Sequence, residues 1–398
     1  MGELKNRIVK TLIDRRDKVL NGKINCIPLP FRRFREDLAG IEQGTYYLIS
    51  GAAKSSKTQL TNYIFVYNTI LWTYKHPGII KPKIFYFPLE ETQEVITLRF
   101  MSFLINYLTQ GNIKISPSDL KSTDERKPVP NEVLDIMNTP EFNSIMDHYE
   151  SVVTFYDNRN VTGIAKTMYD YARTHGTIHY KNIIVKEIDE LGVAREHERK
   201  IFDYYTPNDP DEYVIFIVDH ISLLNPEKTD TLRESICRLS EECVKLRNRY
   251  NYIPVIVQQQ SMETQSLEAF KNNKIRPTVA GLGDAKYTAR DTSIMIGICN
   301  PYSYELQQYL GYDLTKWKGN LRFMEVVLNR NGVSNGICPL IFNGAINNFV
   351  EAPSPNEGIA LNKAFEKYIL KPQVTNICNT SVTLLALAQK VINNIINN

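Results

Sequence analysis

Residues 46–58 read Tyr46-Tyr47-Leu48-Ile49-Ser50-Gly51-Ala52-Ala53-Lys54-Ser55-Ser56-Lys57-Thr58, and Gln59-Leu60-Thr61-Asn62-Tyr63-Ile64-Phe65 follows. An apolar run, then small residues, then Lys-Thr ahead of a helix-compatible stretch reads as strand, phosphate loop, helix. Small residues let consecutive backbone N–H groups curl around a polyphosphate at a helix N-terminus, where unpaired donors and the dipole favour anions. In that reading Gly51, Ala52, Ala53, Lys54, Ser55, Ser56, Lys57 and Thr58 cradle a polyphosphate. Lys57 reaches the β- and γ-phosphates, and the Thr58 hydroxyl ligates Mg²⁺. The pattern G-x-x-x-x-G-K-[ST] lacks its second glycine, because Ser56 stands there and serine resists backbone angles that glycine tolerates. A Ser/Lys-rich surface turn is the competing reading of these residues alone, so the rest of the chain has to decide.

The composition, 43% hydrophobic and 23% charged over 398 residues, suits one large globular domain with additions, or two domains. With 47 Lys+Arg against 44 Asp+Glu the formal net charge is only +3, so any nucleic-acid site must be local. Two stretches qualify: residues 1–37, and the group Lys271, Lys274, Arg276, Lys286 and Arg290. Solvated surface charge is the plainer reading of both. The six cysteines show no C-x-x-C spacing and do not cluster with the six histidines, which argues against a zinc site or a disulfide framework. No apolar signal core opens the sequence, and no run of about 18 apolar residues occurs. The expected setting is a reducing cytoplasm with no membrane partner.

Outward from the loop, residues 82–87 form a compact apolar strand that ends in Pro88-Leu89-Glu90-Glu91. A carboxylate pair at the carboxyl end of a parallel strand is where an α/β sheet keeps its chemistry. Helical spacing over 92–108, a strand at 152–156 and a helix carrying Ile164, Met168 and Tyr171 repeat the βα unit. Residues 109–140 read as irregular and 175–213 as charged, so about 109–212 is assigned as an insertion. Residues 213–219 are a continuous apolar run ending in Asp219, as a strand buried on both faces should be. An Asp in that place holds Mg²⁺ through water. A helix over 231–250 and a strand running into Gln258-Gln259-Gln260 follow, and 261–280 shows no periodicity. Strands at 293–298, 323–328 and 338–342 come next, the last two joined through Asn329-Arg330-Asn331-Gly332 as a hairpin projecting from the sheet edge. A helix over 4–20 carries the apolar stripe Leu4, Ile8, Leu12, Ile13 and Leu20, which needs a cover. The expected organisation is a linker helix and connector over 1–30, an α/β domain over 31–350 with a mainly parallel central sheet, and a helical tail over 351–398.

Five of these stretches, Gly51 to Thr58, Phe87 to Glu90, Ile217 to His220 with Leu223-Leu224, Pro254 to Gln260, and Asn329 to Gly332, stand in an order and rough spacing that resembles one family. It is the RecA-like P-loop ATPase core of the DnaB-type replicative helicases, over about residues 25–345. The resemblance implies that Glu90 is the catalytic glutamate, Gln260 couples the γ-phosphate to DNA-binding loops, and Arg330 is an arginine finger entering a neighbour's site. It also implies a ring, normally a hexamer, of phage-like or bacterial type that moves on single-stranded DNA. Mg-ATP would sit between subunits, residues 261–290 would face the channel, and a primase or loader would be a partner. The family's globular N-terminal domain has no counterpart, and the 4–20 helix corresponds to a linker that docks on the adjacent subunit. The departures are Ser56, the long segment between Glu90 and Asp219, and Leu328, where the family has a lysine that Lys318 or Arg322 would have to replace. A RecA-fold DNA-binding ATPase without unwinding activity is the alternative, whether recombination mediator, loader or virion-associated ATPase. A metabolic kinase is a third reading, one that would need neither Gln260 nor Arg330.

Overall fold

The computed structural model describes residues 2–35, 37–188, 194–261 and 275–370. Nine of the strand-forming runs join one sheet. They are β1 Tyr47–Gly51, β2 Lys81–Pro88, β3 Val153–Phe155, β4 Glu212–Asp219, β5 Ile253–Gln259, β6 Ile294–Cys299, β7 Leu321–Asn329, β8 Ile337–Asn343 and β9 Asn348–Glu351. Their order across the sheet is β9-β8-β7-β6-β1-β5-β4-β2-β3. The six from β6 to β3 run parallel, and β7, β8 and β9 extend the sheet antiparallel.

The unbroken apolar run of β4 follows from burial on both faces. Its alternation sends Val214, Phe216 and Val218 into one core, and Ile215 and Ile217 into the other. The Ile215 side is covered by three helical stretches. These are α2 Lys57–Thr61, which continues through a π turn at Asn62–Tyr67 into Asn68–Lys75, then α3 Gln93–Leu108 and α4 Pro140–Val152. The Phe216 side is covered by α5 Val161–Thr174 and α6 Leu232–Tyr250. A capping box between Thr231 and Glu234 starts α6, and Asn251 ends it in the left-handed conformation at φ 58°. No helix among the described residues is long and apolar enough to cross a membrane.

Several expectations need correction. The stretch about 109–212 is not one insertion, because β3 and α5 inside it belong to the sheet and its cover. Residues 109–140, expected as irregular, contain the short helices Pro117–Leu120 and Asn131–Met137. The charged part is a long two-stranded ribbon, Gly176–Ile188 against Ala194–Pro207, outside the main sheet. Among the described residues it is anchored at its base, where Phe202 and Tyr205 set their rings against Tyr250 at the end of α6. The Arg330 hairpin does not project from an edge, since its strands β7 and β8 lie within the sheet with β9 outside them. In the tail, a helix at Gly358–Phe365 is followed by a turn at Glu366–Leu370, and the apolar helix expected farther on lies outside the described residues.

The N-terminal helix α1, Gly2–Leu20, is held by polar contacts: Arg15 to Glu42, Lys18 to Asp211, and Arg7 over the Tyr204 ring at 4.1 Å. Its stripe of Leu4, Ile8, Leu12, Ile13 and Leu20 faces solvent.

Replacing residues 183–199 by an Asn-Gly turn joins the paired Asn182 and Lys200 directly. Because the removed arm lies beyond the anchored base, the thermal midpoint should stay within about 2 °C of the parent, and a fall above about 5 °C would show that the arm packs on the body.

Candidate active site

Parallel strands deliver their carboxyl ends to one edge of the sheet, and there the residues singled out on β1, β2, β4 and β5 converge. The loop after β1 begins at Gly51, where a Cβ would lie 2.3 Å from the Ile298 carbonyl oxygen and 2.5 Å from Ser55 Oγ, so only glycine fits. Lys54 and Ser56 both adopt positive φ, 57° and 76°. The left-handed region costs a non-glycine residue about 1–2 kcal/mol, and at Ser56 the side chain gains a partner in return. Its Oγ accepts a hydrogen bond from Arg322 Nε at 3.1 Å.

Lys57 is 6% exposed and donates to the Ala52 carbonyl across the loop at 2.9 Å. Burial pulls its ammonium down to about 8, against the nearby charges of Asp219 and Glu90. Lys54 is exposed and offers no comparable seat. Thr58 Oγ1 donates to Asp219 Oδ1 at 3.1 Å, tying the first turn of α2 to the end of β4. The Tyr86 hydroxyl lies 3.2 Å from Asp219 Oδ2 and 2.9 Å from Asn62 Oδ1, and its one proton serves one of them at a time. Burial, with Glu91 and Glu90 nearby, pushes the Asp219 carboxyl up to about 7 despite the Thr58 hydrogen bond. A hydroxyl and a carboxylate so close form a hard oxygen pair of the kind Mg²⁺ takes, with water completing the shell. The buried Ser55 Oγ has no partner among the described residues, an orphan donor inside the loop that a phosphate oxygen would satisfy.

The two glutamates after β2 are not equivalent. Glu91 is locked to Arg99 through both carboxylate oxygens. Glu90 is exposed and lies close enough to Lys57 and Asp219 to influence both. Gln260, 3% exposed, donates to Ser50 Oγ at 2.8 Å and to the Thr278 carbonyl at 3.2 Å, and accepts from the Thr278 N–H. Its amide therefore joins the loop strand to the chain beyond residues 262–274.

Arg330 sits elsewhere. Asn329 pairs with Ile294 at the start of β6, whereas the loop follows the far end of β1, level with the far end of β6. The span from Asn329 to Phe323 puts Arg330 about 20 Å along the strand from its own chain's loop. Its guanidinium is exposed and donates to the carbonyls of Thr292 and Arg290.

Of the five basic residues read as a DNA contact, the structure describes Arg276, Lys286 and Arg290. Arg276, expected to offer its charge to phosphates, is instead held by both oxygens of the buried Glu325. Arg290 pairs with Asp291 beside Arg330, and Lys286 is exposed. Lys271 and Lys274 lie outside the described residues. Sequence reading missed Tyr86 and Asn62. Tyr86, which reaches Asp219, and Asn62, which reaches Tyr86, were hidden in largely apolar runs, and only the two-residue period of β2 hints that Tyr86 faces α2.

Glu90→Gln should leave nucleotide binding intact and cut ATP turnover by about 10²–10⁴, the scale of a positioned acid or base. Glu91→Gln should instead lower the melting temperature by freeing Arg99, with a much smaller effect on turnover. The reverse pattern in turnover and melting assays would exchange their roles.

No family model matches the sequence, and no curated protein is similar to it. Among solved structures, the ATPase domain of G40P superposes with a TM-score of 0.59 at 14% identity, over 89% of this chain and 100% of that one. A DnaB-like replicative helicase, solved in a study of its interactions with primase, gives a TM-score of 0.56 at 14% identity. That match covers 86% of this chain and 66% of the helicase, so this chain spans about two thirds of its length. The architecture of this chain is thus the RecA-like P-loop ATPase fold that these helicase domains carry.

Proposed function

We propose that this chain is a replicative-helicase-type ATPase that works as a ring, hydrolyses Mg-ATP between subunits and moves along single-stranded DNA in the cytoplasm. The observation that carries the reading is the division of chemistry between two ends of one sheet. Lys57, Thr58, Asp219 and Glu90 gather at the carboxyl end of the parallel strands, and Arg330 is presented at the opposite end. A guanidinium that cannot reach its own loop can complete the loop of a second copy.

Each residue then has a role set by its chemistry. Lys57 and the loop N–H groups bind the β- and γ-phosphates. Thr58 and Asp219 would hold Mg²⁺, which supplies charge neutralisation on the phosphate oxygens. Glu90 orients the attacking water and accepts its hydrogen bond, and it is free to do so because Glu91 rather than Glu90 is tied to Arg99. Arg330 from the next subunit meets the charge that develops on the transferred group. Gln260 links the loop strand to Thr278, so a shift at the phosphate is passed to residues 261–278, where Lys271 and Lys274 would grip DNA phosphates. The exposed stripe of α1 is suited to docking on the adjacent subunit. A hexamer would follow, with a primase or loader as further partner.

Mixing tests the division directly. Lys57→Ala and Arg330→Ala should each be nearly inactive alone, and co-assembled they should recover part of the ATPase rate at interfaces pairing an intact loop with an intact Arg330. Absence of recovery in demonstrated mixed oligomers would remove the trans role. ATPase stimulated by single strands without strand displacement on a forked duplex would favour the DNA-binding ATPase that does not unwind.

A further inference from the structure

Arg322 is the second residue of β7, at the end nearest the loop, where Phe323 pairs with Cys299. It is 7% exposed. Its Nε donates to Ser56 Oγ at 3.1 Å, and its Nη1 to the carbonyls of Gly319 at 2.6 Å and Leu321 at 2.9 Å. The guanidinium lies over the Phe342 ring, 5.0 Å from its centroid. No carboxylate pairs with it among the described residues, and its Nη2 makes no hydrogen bond there. The uncompensated burial lowers the guanidinium to about 10.

A buried cation without a counter-charge is costly, and carbonyl dipoles answer only part of its charge. The loop it touches has a second unanswered donor, the buried Ser55 hydroxyl, one residue from the serine that seats Arg322. Two such donors at one loop indicate an anion that binds against both. Direction along that anion follows from the sheet order. Asp219 and Glu90 end strands on one side of β1, whereas Arg322 enters from β7 on the other. The terminal phosphate must face Glu90, where water attacks, so the phosphate next to the nucleoside lies toward β7.

Resting on the nucleotide-site reading above, we propose that Arg322 is a further nucleotide-binding residue of this chain's own loop, seated by Ser56 and contacting the α-phosphate through Nη2. The αL serine acquires a purpose in this arrangement. With glycine in its place, the guanidinium would lose its seat.

The test uses the full chain, Mg-ATP, Mg-ADP and the two diastereomers of ATP with sulfur on the α-phosphate. Wild type should bind both nucleotides and prefer one diastereomer. Arg322→Ala should weaken Mg-ATP and Mg-ADP alike by about 10- to 100-fold, the range of a charge-assisted hydrogen bond, and erase the diastereomer preference. Should that variant fail to fold by circular dichroism, Arg322→Lys, which keeps the charge without the fork, should bind Mg-ATP and show an altered preference. Unchanged affinity, or lost affinity with the wild-type preference retained in either folded variant, would overturn the inference and leave Arg322 structural. A wild-type chain that binds no nucleotide would sink the nucleotide-site reading itself and this inference with it.

Discussion

The hydrogen bond from Thr58 to Asp219 joins the first turn of the loop helix to the end of a strand buried on both faces. That join fixes the loop against the sheet and sets Lys57 and Asp219 side by side. Lys57 and Asp219 are both nearly removed from water, and burial moves each toward its neutral form, the lysine down to about 8 and the aspartate up to about 7. A polyphosphate beside Lys57 and a divalent cation beside Asp219 would each favour the charged form. The free energy of ligand binding and the protonation of the two side chains are therefore linked.

Strand order turns this local arrangement into a division of labour. Parallel strands align their carboxyl ends, which collects the loop, Asp219, Glu90 and Gln260 on one edge. Antiparallel addition of β7 and β8 reverses the chain, so their connecting hairpin emerges at the amino ends of the parallel strands with Arg330. One strand serves both ends, since β7 carries Arg322, held against Ser56, at its start and ends beside Arg330. A displacement along β7 would thus be felt both at the loop and at Arg330.

Much of this was legible in the sequence because it rests on short-range patterns. The loop, the apolar run into Asp219, the strand into Gln260 and the helices at 93–108 and 232–250 are each read from one continuous stretch of sequence. What escaped reading depends on pairs distant in sequence. Glu325 neutralises Arg276 across 49 positions, so a charge run could not reveal that Arg276 is engaged. Arg99 distinguishes Glu91 from Glu90, and nothing in the run Leu89-Glu90-Glu91 shows which is free. The seat of Arg322 on Ser56 spans 266 positions. The ribbon went unrecognised because its alternation is diluted by charged residues on both faces, as suits strands exposed beyond their anchored base.

The central claim is that each copy holds two halves of different sites, joined only in an assembly. Its most direct measurement is the ATPase rate per chain as a function of protein concentration, with particle mass followed in the same solutions. The account predicts a low rate for the single chain, and a rate that climbs in step with formation of a closed oligomer. A full rate per chain in solutions that contain only monomer would contradict it.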